Sequence, residues 1–155
     1  MSAAEELRST LDREVPRLLS FSDEGASIPV APGKWTPKEI IGHLIDSASN
    51  NHGRFVRAIL SDDFVFLPYD QEEWVTSQKY NDVEWASLVE LWRQYNVHLA
   101  HVMDQIPPDR LSLPRMPHNL HRVGWRLVPE DVPATLEYFI EDYVGHMQHH
   151  LAQIP

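Results

Sequence analysis

Cysteine is absent from the 155 residues of this chain. That absence excludes a disulfide framework, a thiolate cage for zinc, an iron–sulfur cluster and a cysteine nucleophile. Any thiol chemistry must therefore use a thiol that arrives from outside. Basic residues are also few, 13 Lys and Arg against 23 Asp and Glu for a formal charge of −10, which disfavours nucleic acid and anionic membrane surfaces as partners. No apolar run reaches the length of about 18 residues that a membrane span needs. No Pro/Gly/Ser-rich linker divides the sequence, so a single domain with one sizeable core is expected over residues 1–155. The opening MSAAEELRSTLDREV mixes acids with apolar residues and lacks the basic region and apolar run of a secretory signal. A cytoplasmic protein is the expectation.

What the sequence does contain is helical periodicity. Leu7, Leu11, Val15, Leu18 and Leu19 predict a first helix over 3–21, with Pro16 threatening a kink in its second half. Thr36-Pro37-Lys38-Glu39 has the form of a helix start: Thr36 as cap, Pro37 where its missing N–H costs nothing, Glu39 to complete a capping box. The second helix is predicted over 37–61. Trp85, Leu88, Val89, Trp92, Tyr95, Leu99, Val102 and Ile106 predict a third over 83–106, stopped by Pro107-Pro108. The last is predicted from Val132 or Pro133 to the end, on a stripe of Leu136, Ile140, Met147, Leu151 and Ile154. The segment FVFLPYDQEEWVTSQKY shows no sustained period and reads as a long connection, with at most a short helical turn and an aromatic content suited to a pocket wall. Residues 110–131 fit either a small hairpin or a loop, the four prolines from Pro114 to Pro133 opposing a central strand. Four amphipathic helices with two long connections predict an all-α four-helix bundle, antiparallel in overall character, with sites built from facing helices.

Nine histidines are present, and three carry the strongest chemical signal. At about 100° per residue, His146 and His150 lie about 40° apart on the last helix and can address one ion, whereas His149 lies about 100° from His150 and faces solvent or the cleft rim. His43 lies at the edge of the apolar arc of the second helix, at the head of a polar stripe of His43, Ser47, Asn50 and Arg54. A bound cation would offset the cost of setting polar rings against a core. Three neutral imidazoles leave a fourth position for water or substrate, as in catalytic zinc sites. The HxxxH pair alone is a weak motif. It is not the HExxH of metalloproteases, because Met147, Gln148 and His149 intervene and the glutamate base is missing. Asp46, Asp142 and Tyr143 stand near the ligand turns. His98 and His101 lack a partner cluster, His118 and His121 fall in the long connection, and His52 points away from His43. Trp35, Trp85 and Trp92 are most simply core or helix-junction aromatics.

At WTPKEIIGHLIDS (35–47) and DYVGHMQHHLAQI (142–154) the chain resembles the DinB/YfiT-like superfamily of metal-binding four-helix proteins. LPYDQEEW (67–74) resembles the YfiT-like branch related to bacillithiol S-transferases, although the basic, tryptophan-bearing tail of that branch does not follow Pro155. The resemblance implies that His43, His146 and His150 hold a divalent metal, Zn²⁺ or Ni²⁺, the same three residues that helical geometry selects. It further implies a metal-dependent transferase that activates a low-molecular-weight thiol for attack on an electrophilic small molecule, with a homodimer as the assembly. On that reading Asp46, Asn50 and Arg54 are the candidate catalytic side chains, and Asn50, Arg54 and Tyr69 orient the thiol. The alternatives are a metal-dependent hydrolase with water in the open position, and a noncatalytic stress-response protein in which the ion ties two helices together.

Overall fold

Two capping boxes set the start of two of the four long helices. The Ser2 hydroxyl accepts from the Glu5 N–H while the Glu5 carboxylate accepts from the Ser2 N–H, and Thr36 and Glu39 reciprocate in the same way. Each satisfies two backbone donors that a helix start otherwise leaves open. The computed structural model describes residues 1–155. It contains α1 (Ala3–Leu19), α2 (Pro37–Leu60), α3 (Gln71–Gln78), α4 (Trp85–Asp104), α5 (Pro108–Leu111), α6 (Leu120–Val123) and α7 (Leu136–Leu151). There is no strand; two isolated bridges, Phe64 with His118 and Arg115 with Ala134, are the extended pairings.

The four long helices form the bundle. α1 packs on α4 and α7, and α2 packs on the same two helices, so the order around the bundle is α1, α4, α2, α7. Consecutive α1 and α2 therefore stand diagonally, as do α4 and α7, and the connections 20–36 and 105–135 are the crossovers that make this possible. Leu7, Leu18, Ile40, Leu44, Phe55, Trp92, Leu99, Leu136 and Met147 are among the fully buried side chains of the shared core. Polar ties fix the helices across it. The Trp85 indole donates to Leu18 O (2.7 Å), and the Tyr143 hydroxyl donates to Asn96 Oδ1 (2.6 Å) in a buried bond between α7 and α4. Lys38, itself buried, pairs with Asp23 (3.0 Å).

The four predicted long helices are present, with shifted ends. α1 continues past Pro16 but stops at Leu19, which is half exposed rather than part of the core stripe. α7 starts at Leu136 instead of 132 or 133, because Ala134 pairs with Arg115 (2.8 and 3.3 Å) and Thr135 caps the helix from outside. The connection after α2 carries a full eight-residue helix, α3, capped by Asp70. Residues 110–131 are neither hairpin nor plain loop: α6 interrupts them, and His118 anchors them, with Nε2 donating to Val132 O (2.6 Å) and Nδ1 accepting from Leu120 N (3.1 Å). Asn119 clasps Phe66 through both its amide atoms (2.9 and 2.7 Å), which docks this segment against the aromatic connection.

Gly42 is where the bundle tolerates no side chain. The Tyr80 ring lies 2.1 Å from where a Cβ would stand, so α2 and the segment after α3 approach ring to backbone. Gly53, on the same helix, has open space beside it. Gly42→Ala is expected to cost about 1–3 kcal/mol through overpacking, whereas Gly53→Ala should stabilise by up to about 1 kcal/mol through helix propensity. Urea unfolding of the two variants checks this, and equal effects would contradict the close approach.

Candidate metal centre

Because α2 and α7 are neighbours in the bundle, residues a hundred positions apart meet. His43 Nε2 lies 3.2 Å from His146 Nε2, and the His150 ring centroid is 4.6 Å from each of the other two. One ligating atom from each ring falls within 4.8 Å of the others. Nitrogens about 2.0–2.1 Å from a tetrahedral zinc stand roughly 3.3 Å apart, so the His43–His146 separation suits two ligands of one ion. His43 is fully buried, with Nδ1 lacking any partner; His146 and His150 are partly exposed. Gln153 Oε1 accepts from His150 Nδ1 (3.3 Å), which leaves His150 Nε2 as the ring's lone-pair nitrogen and orients it in the way outer partners fix metal-binding imidazoles. The Gln153 amide nitrogen is turned to His149, which is exposed at the rim.

The electrostatics favour the neutral, ligating form of each ring. Burial pushes His43 and His146 down to about 3, with the neighbouring rings adding to it. Burial also lowers His150, against its hydrogen bond to Gln153, which raises it. Neutral imidazoles with converging nitrogens and no carboxylate among them fit a divalent cation of the borderline kind, zinc or nickel, that nitrogen donors suit.

Each of two ligands follows a glycine that admits an aromatic ring. Tyr80 packs over Gly42, and Trp125 comes within 3.0 Å of a Cβ built at Gly145. Trp35 lies 5.1 Å from the His43 ring and 6.4 Å from His150, so it is a wall of the centre as well as a helix-junction residue.

His146 also borders a cavity of ≈ 120 Å³, whose lining includes Ser47, Asn51, Arg54, Tyr69, Arg122 and Asp142. Of the candidate catalytic and thiol-orienting side chains, Arg54 and Tyr69 face this space. Asn50 and Asp46 do not line it. The Asn50 amide turns back to Asp46 O (2.9 Å), and Asn51, one position on, takes the place by the cavity while donating to Ser47 O (2.8 Å). Asp46 Oδ1 accepts from the Tyr80 hydroxyl (2.6 Å) and the Gln78 amide (2.8 Å); burial raises its pKa, against those two bonds. Asp142 is likewise engaged, accepting from the backbone N–H of Trp125 (2.7 Å) and Arg126 (2.9 Å), and so fixes the loop that carries Trp125.

Sequence reasoning does not find Asn51, Trp125 and Arg122, nor the place of Trp35 in this site. Trp35 had a usable signal, since it precedes the Thr36 cap and so sits two turns before His43 on the same entry to α2. Trp125 and Arg122 had none, because they arrive from an aperiodic segment.

The sequence pattern of the DinB superfamily matches residues 6–154, and the chain belongs to that superfamily. Two relatives bear the name "putative metal-dependent hydrolase". The one from Oceanobacillus iheyensis is 28% identical over 146 residues, 91% of this chain and 78% of its own. YfiT of Bacillus subtilis is 27% identical over 150 residues, 91% of this chain and 76% of its own. The solved structure of YfiT, a four-helix bundle of unusual topology, superposes with a TM-score of 0.72 at 21% identity, over 98% of this chain and 79% of that one. No helix here is long and apolar enough to cross a membrane.

The depressed histidine pKa values fix a sign. In metal-free protein the unfolded rings take up protons near 6.5 while folded His43 and His146 resist to about 3, so the unfolded state binds more protons between those values. Stability from this source is full above about pH 6.5 and is lost as pH falls, by at most roughly 1.4 kcal/mol per unit for each ring. Urea midpoints of chelator-treated protein from pH 8 to 4 should fall more steeply for the parent than for His43→Leu; parallel curves would show that the rings are not held neutral.

Proposed function

We propose that the chain is a metal-dependent hydrolase of a small molecule, with His43, His146 and His150 as the ligands. The observation that carries it is the convergence of three neutral imidazoles, one of which, His146, borders a polar cavity, and the names of the relatives support the same reading, which the sequence alone ranks second to thiol transfer. A divalent ion so held supplies Lewis acidity at its open position, polarising a carbonyl-type oxygen or easing proton loss from an entering nucleophile.

The chain's own residues do the rest. Trp35 covers the His43 side and keeps water from reaching the triad there, Gln153 holds the His150 ring in register, and Asp142 fixes the loop over His146. Tyr69, pushed up to about 12 by burial, stays protonated and offers a hydroxyl to a substrate oxygen. Asp46, tied to Tyr80 and Gln78, serves to hold α2 against the segment after α3 and not as a base.

Thiol transfer is the second reading, and one observation favours it. Asp142 is taken up by backbone N–H groups and Asp46 does not line the cavity, its Oδ1 bonded to Tyr80 and Gln78 and its Oδ2 buried without a partner, so no free carboxylate faces the cavity to take a proton, and a thiol ionises near pH 8.5 without such help. The thiol would come from solution, since the chain has no cysteine.

The test purifies untagged protein, assays metal content, and runs ester and amide panels with and without added thiol. Turnover in thiol-free buffer, abolished by chelation and restored by Zn²⁺ or Ni²⁺, is expected, and His146→Ala should lose both metal and turnover. Turnover that requires added thiol would replace hydrolysis by thiol transfer, and metal binding that raises the Tm without turnover on any panel would leave only the helix-tying role.

A further inference from the structure

Arg54 is a buried cation with no counter-ion. It is 7% exposed, yet its one hydrogen bond is to a neutral carbonyl, Leu67 O (2.9 Å), and it belongs to no ion pair, unlike Arg8, Arg17, Arg93, Arg110 and Arg126. The other buried arginine, Arg115, also lacks an ion pair and leaves Nε unpartnered, but it bonds two carbonyls, Ser61 O and Arg110 O, and lies outside the cavity lining. The guanidinium of Arg54 is held between Phe66 and Tyr69, 5.9 and 5.8 Å from their centroids, and borders the cavity beside His146. Burying a charge without a partner is costly, and ring faces recover only part of that cost.

The rest of the cavity has the same sign. Arg122 lines it too, exposed and without an acidic partner. The one carboxylate in the lining, Asp142, already accepts from two backbone N–H groups and from Arg126. Two guanidinium groups thus face a space whose only acid is already engaged, in a chain of formal charge −10. The long-range field repels anions, so this local field is a property of the cavity and not of the surface around it.

We infer that the cavity beside His146 is an anion subsite, in which Arg54 takes the carboxylate of a small substrate by a forked hydrogen bond and Arg122 attracts it at the mouth. A planar guanidinium matches a carboxylate in two parallel bonds, and Tyr69, whose ring lies 5.8 Å from the Arg54 guanidinium, lines the same cavity. The volume of ≈ 120 Å³ suits a short-chain acid of a few heavy atoms. This rests on the triad as the reacting centre only for the orientation of the ligand: carboxylate at Arg54, reacting group toward His146.

The experiment measures binding, by calorimetry at constant ionic strength, of succinate, its uncharged diamide and inorganic phosphate to intact protein, both chelator-treated and zinc-loaded. Metal-free protein matters because a carboxylate could otherwise bind the ion itself. Succinate is expected to bind both forms at least 10-fold more tightly than the diamide. Arg54→Met should lose at least 10-fold for succinate, and Arg54→Lys should recover part of it, since the charge returns without the fork. Arg122→Gln should weaken succinate about 2–3-fold and flatten its salt dependence. Equal binding of succinate and diamide, discrimination confined to the zinc-loaded form, or Arg54→Met binding like the parent would each overturn the subsite. Phosphate binding 10-fold tighter than succinate would overturn the carboxylate assignment. If Arg54→Met does not fold, the diamide comparison and Arg122→Gln decide. Succinate binding that persists where no hydrolysis is found would reject the reaction and keep the subsite, whereas hydrolysis indifferent to substrate charge would do the reverse.

Discussion

Three imidazoles that must be buried close together and kept neutral govern the arrangement of this molecule. Each ring leaves water for an environment that penalises its charged form. With no carboxylate among them, their nitrogens have only one another, a proton or a cation to face. Placing them together requires α2 and α7 to be neighbours, which rules out the sequential ring in which they would stand diagonally; in this bundle α1 and α2, and α4 and α7, take the diagonals instead. The two long crossovers follow from that. Residues 61–70 dock against 115–119 through the Asn119 amide, which bonds both the N–H and the carbonyl of Phe66.

The long helices and the triad were legible because both express a single period. At 100° per residue, His146 and His150 select themselves over His149, and His43 falls at the edge of an apolar arc; the rings meet where that spacing places them. The short helices were not legible, for a related reason. α3 buries only Val75, α6 only Leu120 and α5 nothing, so none leaves a repeating apolar signal. Their starts depend on local caps and on tertiary docking. In the polar stripe, Asn50 is closer in angle to His43 than Asn51 is and both side chains bond back to their own helix, yet it is Asn51 that lines the cavity. Angular position fixes the face, but the neighbouring element decides which residue on that face is used.

The carboxylates near the centre are structural in this fold. Asp46 anchors Tyr80, whose ring in turn requires Gly42. Asp142 anchors the backbone of 125–126 and sets Trp125 against Gly145. In both cases a residue three or four positions from a ligand histidine holds the aromatic ring that packs on the glycine just before that histidine. The two halves of the centre are thus built by the same local device, on helices that share no other sequence likeness.

His43 and His146 are 103 residues apart in sequence, and a cation shared between them would act as a cross-link closing most of the chain into one loop. Closing a long loop is entropically expensive for a free chain and costs almost nothing once the bundle has assembled. Binding is therefore conditional on folding, and the affinity of the ion is added to the stability of the bundle. The concentration of free metal then adds to the equilibrium stability of the folded protein. Starvation for that metal would narrow the margin by which the bundle holds its fold.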